Sequence, residues 1–279
     1  MRPWRGFPLS LAAVALAVTA CGGALNWTTA VGPRFGGTPV PPPTAEGADL
    51  AVPPATLVIA SYNIDFARAV DTVIDVIARD PMLRRADVIA IQEADEAAME
   101  RLAAALQRHY VYYPAAVHPK SGRNFGPGIL SRWPLTDDAK VALPVHDWTR
   151  GTQRTATAAT VELPGRRFRF YSTHLGTMIG ALPWGQAQQA RALLDDAEAA
   201  GMPVIVAGDF NRMGVGDEFT ARGFAWVTHD VGDTHRIWSF DHVFVRGVGT
   251  DPMDAGAVED ALRASDHKAV WARVTLAGS

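Results

Sequence analysis

The sequence predicts an α/β fold, a sandwich of mixed β-sheets flanked by helices. Two β-α units open the body of the chain, at 57–78 and 87–108. Strand patterns then outnumber helical ones, so the unbroken alternation of a doubly wound parallel sheet is not kept. The strand patterns are also of two kinds. Val204-Ile205-Val206-Ala207 is a continuous apolar run, as strands buried on both faces read. Residues 154–163 and 167–174 instead alternate across Pro164-Gly165, as antiparallel partners do.

Taken in order, Leu57-Val58-Ile59-Ala60-Ser61-Tyr62-Asn63 reads as a buried strand. Val70, Val73, Ile74 and Ile77 recur at helical spacing within 67–78. A second strand spans 87–93 and a second helix 97–108, followed by strands at 110–116, 128–132 and 141–143. After the 154–174 hairpin, a helix over 183–200 has Pro183 near its first turn and Gly201 at its close. The 204–208 strand, a short helix at 217–222 and strands near 224–228, 240–246 and 268–276 complete the body. There is no internal repeat, and one domain over 56–279 accounts for all of these elements.

The first residues read as a targeting segment. Arg2 and Arg5 precede an apolar stretch from Leu9 to Ala20, which suits a signal peptide and is too short to span a bilayer. Val18-Thr19-Ala20-Cys21 resembles a bacterial lipoprotein signal, in which the cysteine is lipidated and becomes the new N-terminus. The expectation is a protein of the cell envelope, anchored through Cys21 to the outer face of a membrane. Removal of residues 1–20 takes two arginines and no acids, lowering the net charge from −3 to −5. Cys21 is the only cysteine, so no internal disulfide supports the fold. From 21 to 55 the chain is rich in Gly, Pro, Thr and Ala, including Pro41-Pro42-Pro43, and reads as an extended tether holding the body away from the membrane. The negative balance supplies no global pull toward nucleic acid or an anionic membrane.

Six places share one grammar, an apolar run delivering polar residues. They are Tyr62-Asn63-Ile64-Asp65, Ile91-Gln92-Glu93, Ser172-Thr173-His174-Leu175, Gly208-Asp209-Phe210-Asn211, Phe240-Asp241-His242-Val243 and Ser265-Asp266-His267. Polar groups carried to the ends of buried strands are costly unless paired or solvated. Positions two apart on a strand point the same way, so Asp209 and Asn211 are expected to project together. Hard divalent cations favour oxygen ligands, and Asp65, Glu93, Asp209 and Asp266 with the amides of Asn63 and Asn211 form such a set. No Cys or His spacing suggests a structural zinc site.

These blocks, in this order and together with Gly128-Ile129-Leu130-Ser131-Arg132, resemble the endonuclease/exonuclease/phosphatase superfamily, the DNase I-like phosphoesterases. The resemblance runs from Tyr62 to the final strand. It implies a four-layer α/β sandwich, two mixed sheets face to face with helices outside, acting as a monomer. It implies Mg²⁺, or Mn²⁺ or Ca²⁺, held by Asn63, Asp65, Glu93 and Asp266, with Glu93 the principal ligand. It further implies that Asp209 and Asn211 position the attacking water and the phosphate. His267 would act at the scissile phosphate, oriented by Asp241, and His174 would bind a phosphate oxygen. Whether Asp209 or an Asp241-oriented His267 is the base stays open at this stage.

The expected activity is hydrolysis of a phosphodiester or phosphomonoester outside the cytoplasm, with a small molecule or lipid head group favoured as substrate. An extracytoplasmic nuclease acting on DNA or RNA is the alternative. A non-catalytic binding protein of the same fold would predict losses at Glu93, Asp209 or His267, and all three are present. Near the site, the 118–124 segment offers phosphate-binding donors or a solvated turn. Arg150 and Arg154 flank a polar loop and are expected to reach substrate phosphate or, for Arg154, which begins a strand, to pair with an acid on the sheet surface. The apolar loop at 176–185 touches lipid or packs on the core.

Overall fold

Period-two alternation in five strands decides both the layers and the place where polar groups gather. The computed structural model describes residues 25–39, 54–212, 214–259 and 263–275; the signal segment, Cys21 and residues 40–53 lie outside these. The chain runs through β1 (Phe35–Gly37), β2 (Thr56–Asn63), a 3-10 turn (Asp65–Ala67), α1 (Val70–Arg79), α2 (Pro81–Arg85), β3 (Val88–Ala94), α3 (Glu96–Leu106), β4 (His109–Tyr112), β5 (Ala116–Val117), β6 (Asn124–Ser131) and β7 (Leu135–Ala142). It continues through β8 (Thr155–Leu163), β9 (Arg166–His174), α4 (Leu182–Ala199), β10 (Val204–Asp209), α5 (Val215–Thr220), β11 (Ala225–Trp226), β12 (Asp241–Arg246), β13 (Gly249–Ala257) and β14 (Val270–Thr275).

The strands form two mixed sheets. One has the order β1-β4-β6-β3-β2-β14-β13, with β5 also on β6; the other has the order β11-β12-β10-β9-β8-β7. Leu57 and Ile59 of β2, Ala90 of β3, Phe168 and Phe170 of β9, Ile205 and Ala207 of β10 and Val243 of β12 pack into one buried cluster between the sheets. Their alternate neighbours turn outward. Tyr62, Ile89 and Ile91 meet α1 and α3, while Tyr171, Val204 and Val206 lie under α4 and α5. The result is the four-layer α/β sandwich implied above.

The inward alternation, continued to the strand ends, brings Asn63, Gln92, Ser172, His174, Asp209 and Asp241 to the same layer. β2 and β3 run parallel, as do β9 and β10, so these four deliver their C-terminal ends together. β12 runs antiparallel to β10 and pairs Asp241 with Asp209. The β9–β10 approach is close: a Cβ at Gly208 would lie 2.1 Å from the Thr173 carbonyl oxygen. Only glycine fits there.

The N-terminal boundary differs from expectation. Residues 25–39, read as part of the tether, pack on the body. β1 pairs antiparallel with β4, and Phe35 lies against Tyr112 at 5.9 Å. The Trp27 indole donates to Asn124 Oδ1 (2.8 Å), and the buried Lys140 ammonium donates to the carbonyls of Trp27 (2.6 Å) and Gly32 (2.8 Å). Arg34 forks onto Asp138 with two bonds of 2.6 Å. A three-residue edge strand has no periodicity to read, and its partners lie some hundred residues away in sequence. Similarly, β13 carries Gly249, Pro252 and Gly256, a loop composition, yet pairs with β14.

Candidate active site

Two of the strand ends are bent to aim their polar groups. The β3–β6 register shifts between Ile91 and Ala94, and Glu93 within that irregularity adopts φ 59°. A left-handed residue at a bulge costs about 1–3 kcal/mol and persists where the surroundings over-determine it. Its Oε2 accepts the Phe66 N–H at 3.0 Å. Asn211 is also left-handed (φ 50°) and lies beyond the end of β10. It reaches the site through a turn in which its N–H donates to Asp209 Oδ1 (2.8 Å), not through strand pitch. The two side chains do converge, by a different local geometry from the one expected.

Asp209 is the hub. Its Oδ2 accepts from Asn63 Nδ2 at 2.9 Å and lies 3.4 Å from His174 Nε2 and 3.7 Å from His267 Nε2. His174 Nε2 is also 3.9 Å from Glu93 Oε1. On its other side, His174 Nδ1 is 3.0 Å from Arg154 Nη1. A guanidinium has no acceptor, so Nδ1 accepts and the ring proton sits on Nε2, facing Asp209. Asn211 Nδ2 lies 2.9 Å from His174 Nε2 and donates to the Leu175 carbonyl at 3.3 Å. His267 Nδ1 bonds Asp241 Oδ2 at 2.8 Å, while Asp241 Oδ1 is buried without a donor. Ser265 ties this arm to the other sheet, its hydroxyl donating to the Asn63 carbonyl (2.6 Å) and accepting the His267 N–H (3.1 Å).

Burial and charge drive the two histidines apart. Burial, with the cations of Arg154 and His267, holds His174 well below its ordinary pKa, so it is neutral. Burial also opposes charge on His267, but Asp241, Asp209 and Asp266 outweigh it and raise the imidazolium to about 10. Burial raises Glu93 to about 7 against the pull of Arg154, and raises Asp209 to about 6 against the pull of His267. Opposed shifts within one cluster are how acid and base roles are separated at neutral pH.

The structure brings Asn63, Glu93, His174, Asp209, Asn211, Asp241 and His267 into this one network. Asp65 and Asp266 sit at its rim. Asp65 pairs with Arg68 at 2.9 Å, and its N–H donates to Asn63 Oδ1 at 3.1 Å. Asp266 is half-exposed, 3.4 Å from His235 Nε2. Burial and the nearby Asp266 charge both raise the Asp65 carboxyl. An oxygen-rich rim of mutually repelling acids, next to the buried Glu93, suits a hard divalent cation. Among the described residues, two trios have ligand atoms within 4.8 Å of one another: Asp209/Asp241/His267 and His235/Asp266/His267. Asp65, Glu93 and Asp266 do not converge to that degree.

Two contributors escaped the sequence reading. Arg154 was seen as a phosphate contact or a surface ion pair; it is buried and sets the His174 tautomer. His235, whose ring stacks on His267 at 4.4 Å, comes from a polar loop that carries no periodic signal.

Two mixed sheets closing on a nest of carboxylates, amides and histidines define an ester-bond hydrolase. The sequence model of the Endonuclease/Exonuclease/phosphatase family matches residues 60–267, and the chain belongs to that family. No curated protein matches the sequence at a significant level. Solved structures share the fold. The endonuclease/exonuclease/phosphatase from Beutenbergia cavernae DSM 12333 is 22% identical, with 81% of this chain and 72% of that chain covered and a TM-score of 0.63. The human Nocturnin catalytic domain with bound sulfate is 18% identical, with 80% and 95% covered and a TM-score of 0.61. TDP2 from D. rerio, complexed with a single-strand DNA product, is 18% identical, with 80% and 100% covered and a TM-score of 0.62.

Proposed function

We propose that this protein is a divalent-metal-dependent phosphoesterase acting outside the cytoplasm, hydrolysing a phosphodiester or phosphomonoester by direct attack of water. The observation that carries this reading is the convergence of the Nε2 atoms of His174 and His267 on Asp209 Oδ2, at 3.4 and 3.7 Å. Asp209, buried and poised near neutrality, takes the proton of the attacking water. His267 then cannot be the base at neutral pH. Its imidazolium, oriented by Asp241, donates to charge developing on the departing oxygen. Neutral His174, with its proton on Nε2, and the Asn211 carboxamide offer hydrogen bonds to a non-bridging phosphate oxygen. Asn63, Asp65, Glu93 and Asp266 would hold Mg²⁺ or a similar ion, which when bound supplies Lewis-acid stabilisation of the phosphate oxygens.

The nuclease reading keeps one specific support, the DNA product bound to the D. rerio TDP2 neighbour. The full chain should be assayed with a divalent cation against plasmid DNA, RNA, sphingomyelin, phosphoinositides and a chromogenic phosphodiester, with His267→Ala as control. The expected result is turnover of the chromogenic ester and of at least one lipid, abolished by the substitution. DNA cleavage alone, abolished by the same substitution, would establish the nuclease instead.

The envelope location rests on the signal-like N-terminus and on Cys21, its lone cysteine. Fatty-acid labelling of the full chain in a bacterial host should disappear in Cys21→Ser. Labelling that survives would contradict the anchor.

A further inference from the structure

Five large apolar side chains stand out on one flank: Trp148 is 68% exposed, Ile179 71%, Trp184 57%, Leu182 41% and Met178 38%. They come from the Trp148 loop and from the segment that leads into and opens α4, and the two are locked to each other. The Trp148 N–H donates to the Gly180 carbonyl (2.9 Å) and the Trp148 indole to the Ile179 carbonyl (2.5 Å). Asp147 braces the first loop, its Oδ1 accepting the N–H groups of Thr149 (2.8 Å) and Arg150 (2.9 Å). A Cβ at Gly180 would lie 1.8 Å from the other Asp147 oxygen, so the loops meet too closely for any larger residue. The apolar side chains are therefore held out in water by a braced scaffold. A cluster of that kind marks an interaction surface.

The cluster adjoins the site. It begins four residues after His174, and Gln186 Nε2 donates to the carbonyls of both Gly176 and Asn211 (2.7 Å each). A cation lies on the same flank: Arg150 shares the Trp148 loop and, with Lys120, is near enough to add to burial in lowering the pKa of His118. Tryptophan and aliphatic residues beside Lys and Arg suit the boundary between phosphate head groups and acyl chains.

The N-terminus is pinned to this same flank. Asn26 Nδ2 donates to the Gly151 carbonyl and Asn26 Oδ1 accepts the Gln153 N–H, both at 2.7 Å, on the far limb of the Trp148 loop. Cys21 is five residues upstream, so an acyl anchor on it lies at most about 18 Å of chain from Asn26. The tether expected to hold the body away from the membrane is cut short. Among the described residues no helix is long and apolar enough to cross a membrane.

We propose that the Trp148 loop and the 178–184 segment form a membrane-seating face, and that the enzyme hydrolyses a phosphate ester presented by the bilayer itself, a phospholipid head group. This rests on the phosphoesterase reading for the reaction, but not for the seating.

The full lipidated chain and its Ile179→Ser/Trp184→Ser variant, each reconstituted into vesicles of phosphatidylcholine, phosphatidylglycerol and sphingomyelin, test it. Two quantities are read: hydrolysis of vesicle lipid relative to a soluble chromogenic phosphodiester, and quenching of tryptophan emission by brominated lipid. The expected result is a fall of about tenfold or more in the vesicle-to-soluble ratio, with a clear loss of quenching. An unchanged ratio and unchanged quenching would overturn the proposal. So would turnover of the soluble ester with none of the three lipids, or a wild-type dimer that the double variant converts to a monomer, which would assign the face to a second copy. Wild-type chain inactive on every ester overturns the phosphoesterase reading instead, and the quenching comparison still decides the seating.

Discussion

Asp209→Asn is expected to lower turnover of a phosphodiester by about 10²–10⁴-fold, the range for loss of a positioned general base. The substitution changes one atom of a side chain that is 1% exposed, so the fold should be retained, as circular dichroism would show. The physical reason lies in what the second oxygen does. Asp209 Oδ2 takes the Asn63 amide at 2.9 Å and faces the Nε2 atoms of both histidines. An amide in its place has no basic lone pair for the proton of water, and either its NH₂ faces the donors of Asn63 and the histidines or it flips and loses the Asn211 turn. The loss should fall on kcat more than on KM, because His174 and Asn211 remain to bind phosphate. The wild-type rate should also rise with pH through about 6 as Asp209 loses its proton, and the variant should lose that dependence. A kcat within tenfold of wild type would remove Asp209 from the role of base.

Asp241→Asn should produce the second large effect, with a signature in pH. His267 is buried, and its charge is opposed by that burial and sustained chiefly by Asp241. The sign follows directly. A group whose pKa is raised keeps its proton until the pH passes the raised value, so the wild-type rate should fall only as pH approaches about 10. Without the carboxylate, His267 returns toward the ordinary histidine value of about 6.5. The alkaline limb should then move down by several pH units. At pH 8 the variant should be slower by about 10²–10³-fold, the usual result of removing one oriented donor to developing charge, and it should recover partly at acid pH. Removing one partner of a buried ion pair also costs about 3–5 kcal/mol of stability. The limb position is the decisive readout, since a purely structural role for Asp241 would lower the rate without moving it. An alkaline limb left near 10 would contradict the assignment of His267 as the protonated partner.

How much of this was legible in the chain depends on which force placed each residue. Asn63 and Asp209 follow from apolar strands that alternate inward and end in polar residues, and Asp241 from the inward-facing start of another, a pattern local enough to read; Glu93 is out of phase with its strand and reaches the site through a bulge. The four-layer arrangement followed from the resemblance those blocks carry. Asn211 reached its place through a left-handed turn instead of strand alternation, so the conclusion was legible and the geometry was not. Asp65 and Asp266 belong to matching motifs, but their side chains turn to Arg68 and His235, contacts set by loop conformations that no periodicity encodes. Arg154 was visible as a cation at the start of a strand. Its burial against His174 depends on a hairpin twenty residues long. Residues 25–39 were hidden for a related reason. Their Gly- and Pro-rich composition masks two aromatic anchors and an arginine whose partners lie far along the chain. The same concealment covered the pinning of Asn26 beside the exposed tryptophans, from which the membrane-seating face is inferred.

In the proposed reaction Asp209 and His267 act on a phosphate ester beside a bound divalent cation. Hydrolysis of a chromogenic phosphodiester by the full chain, before and after removal of divalent cations with EDTA and again after adding Mg²⁺, tests it most directly. Activity should be abolished by chelation and restored by Mg²⁺, with Glu93→Gln inactive at every Mg²⁺ concentration. Activity that survives chelation, or that Glu93→Gln leaves intact, would contradict it.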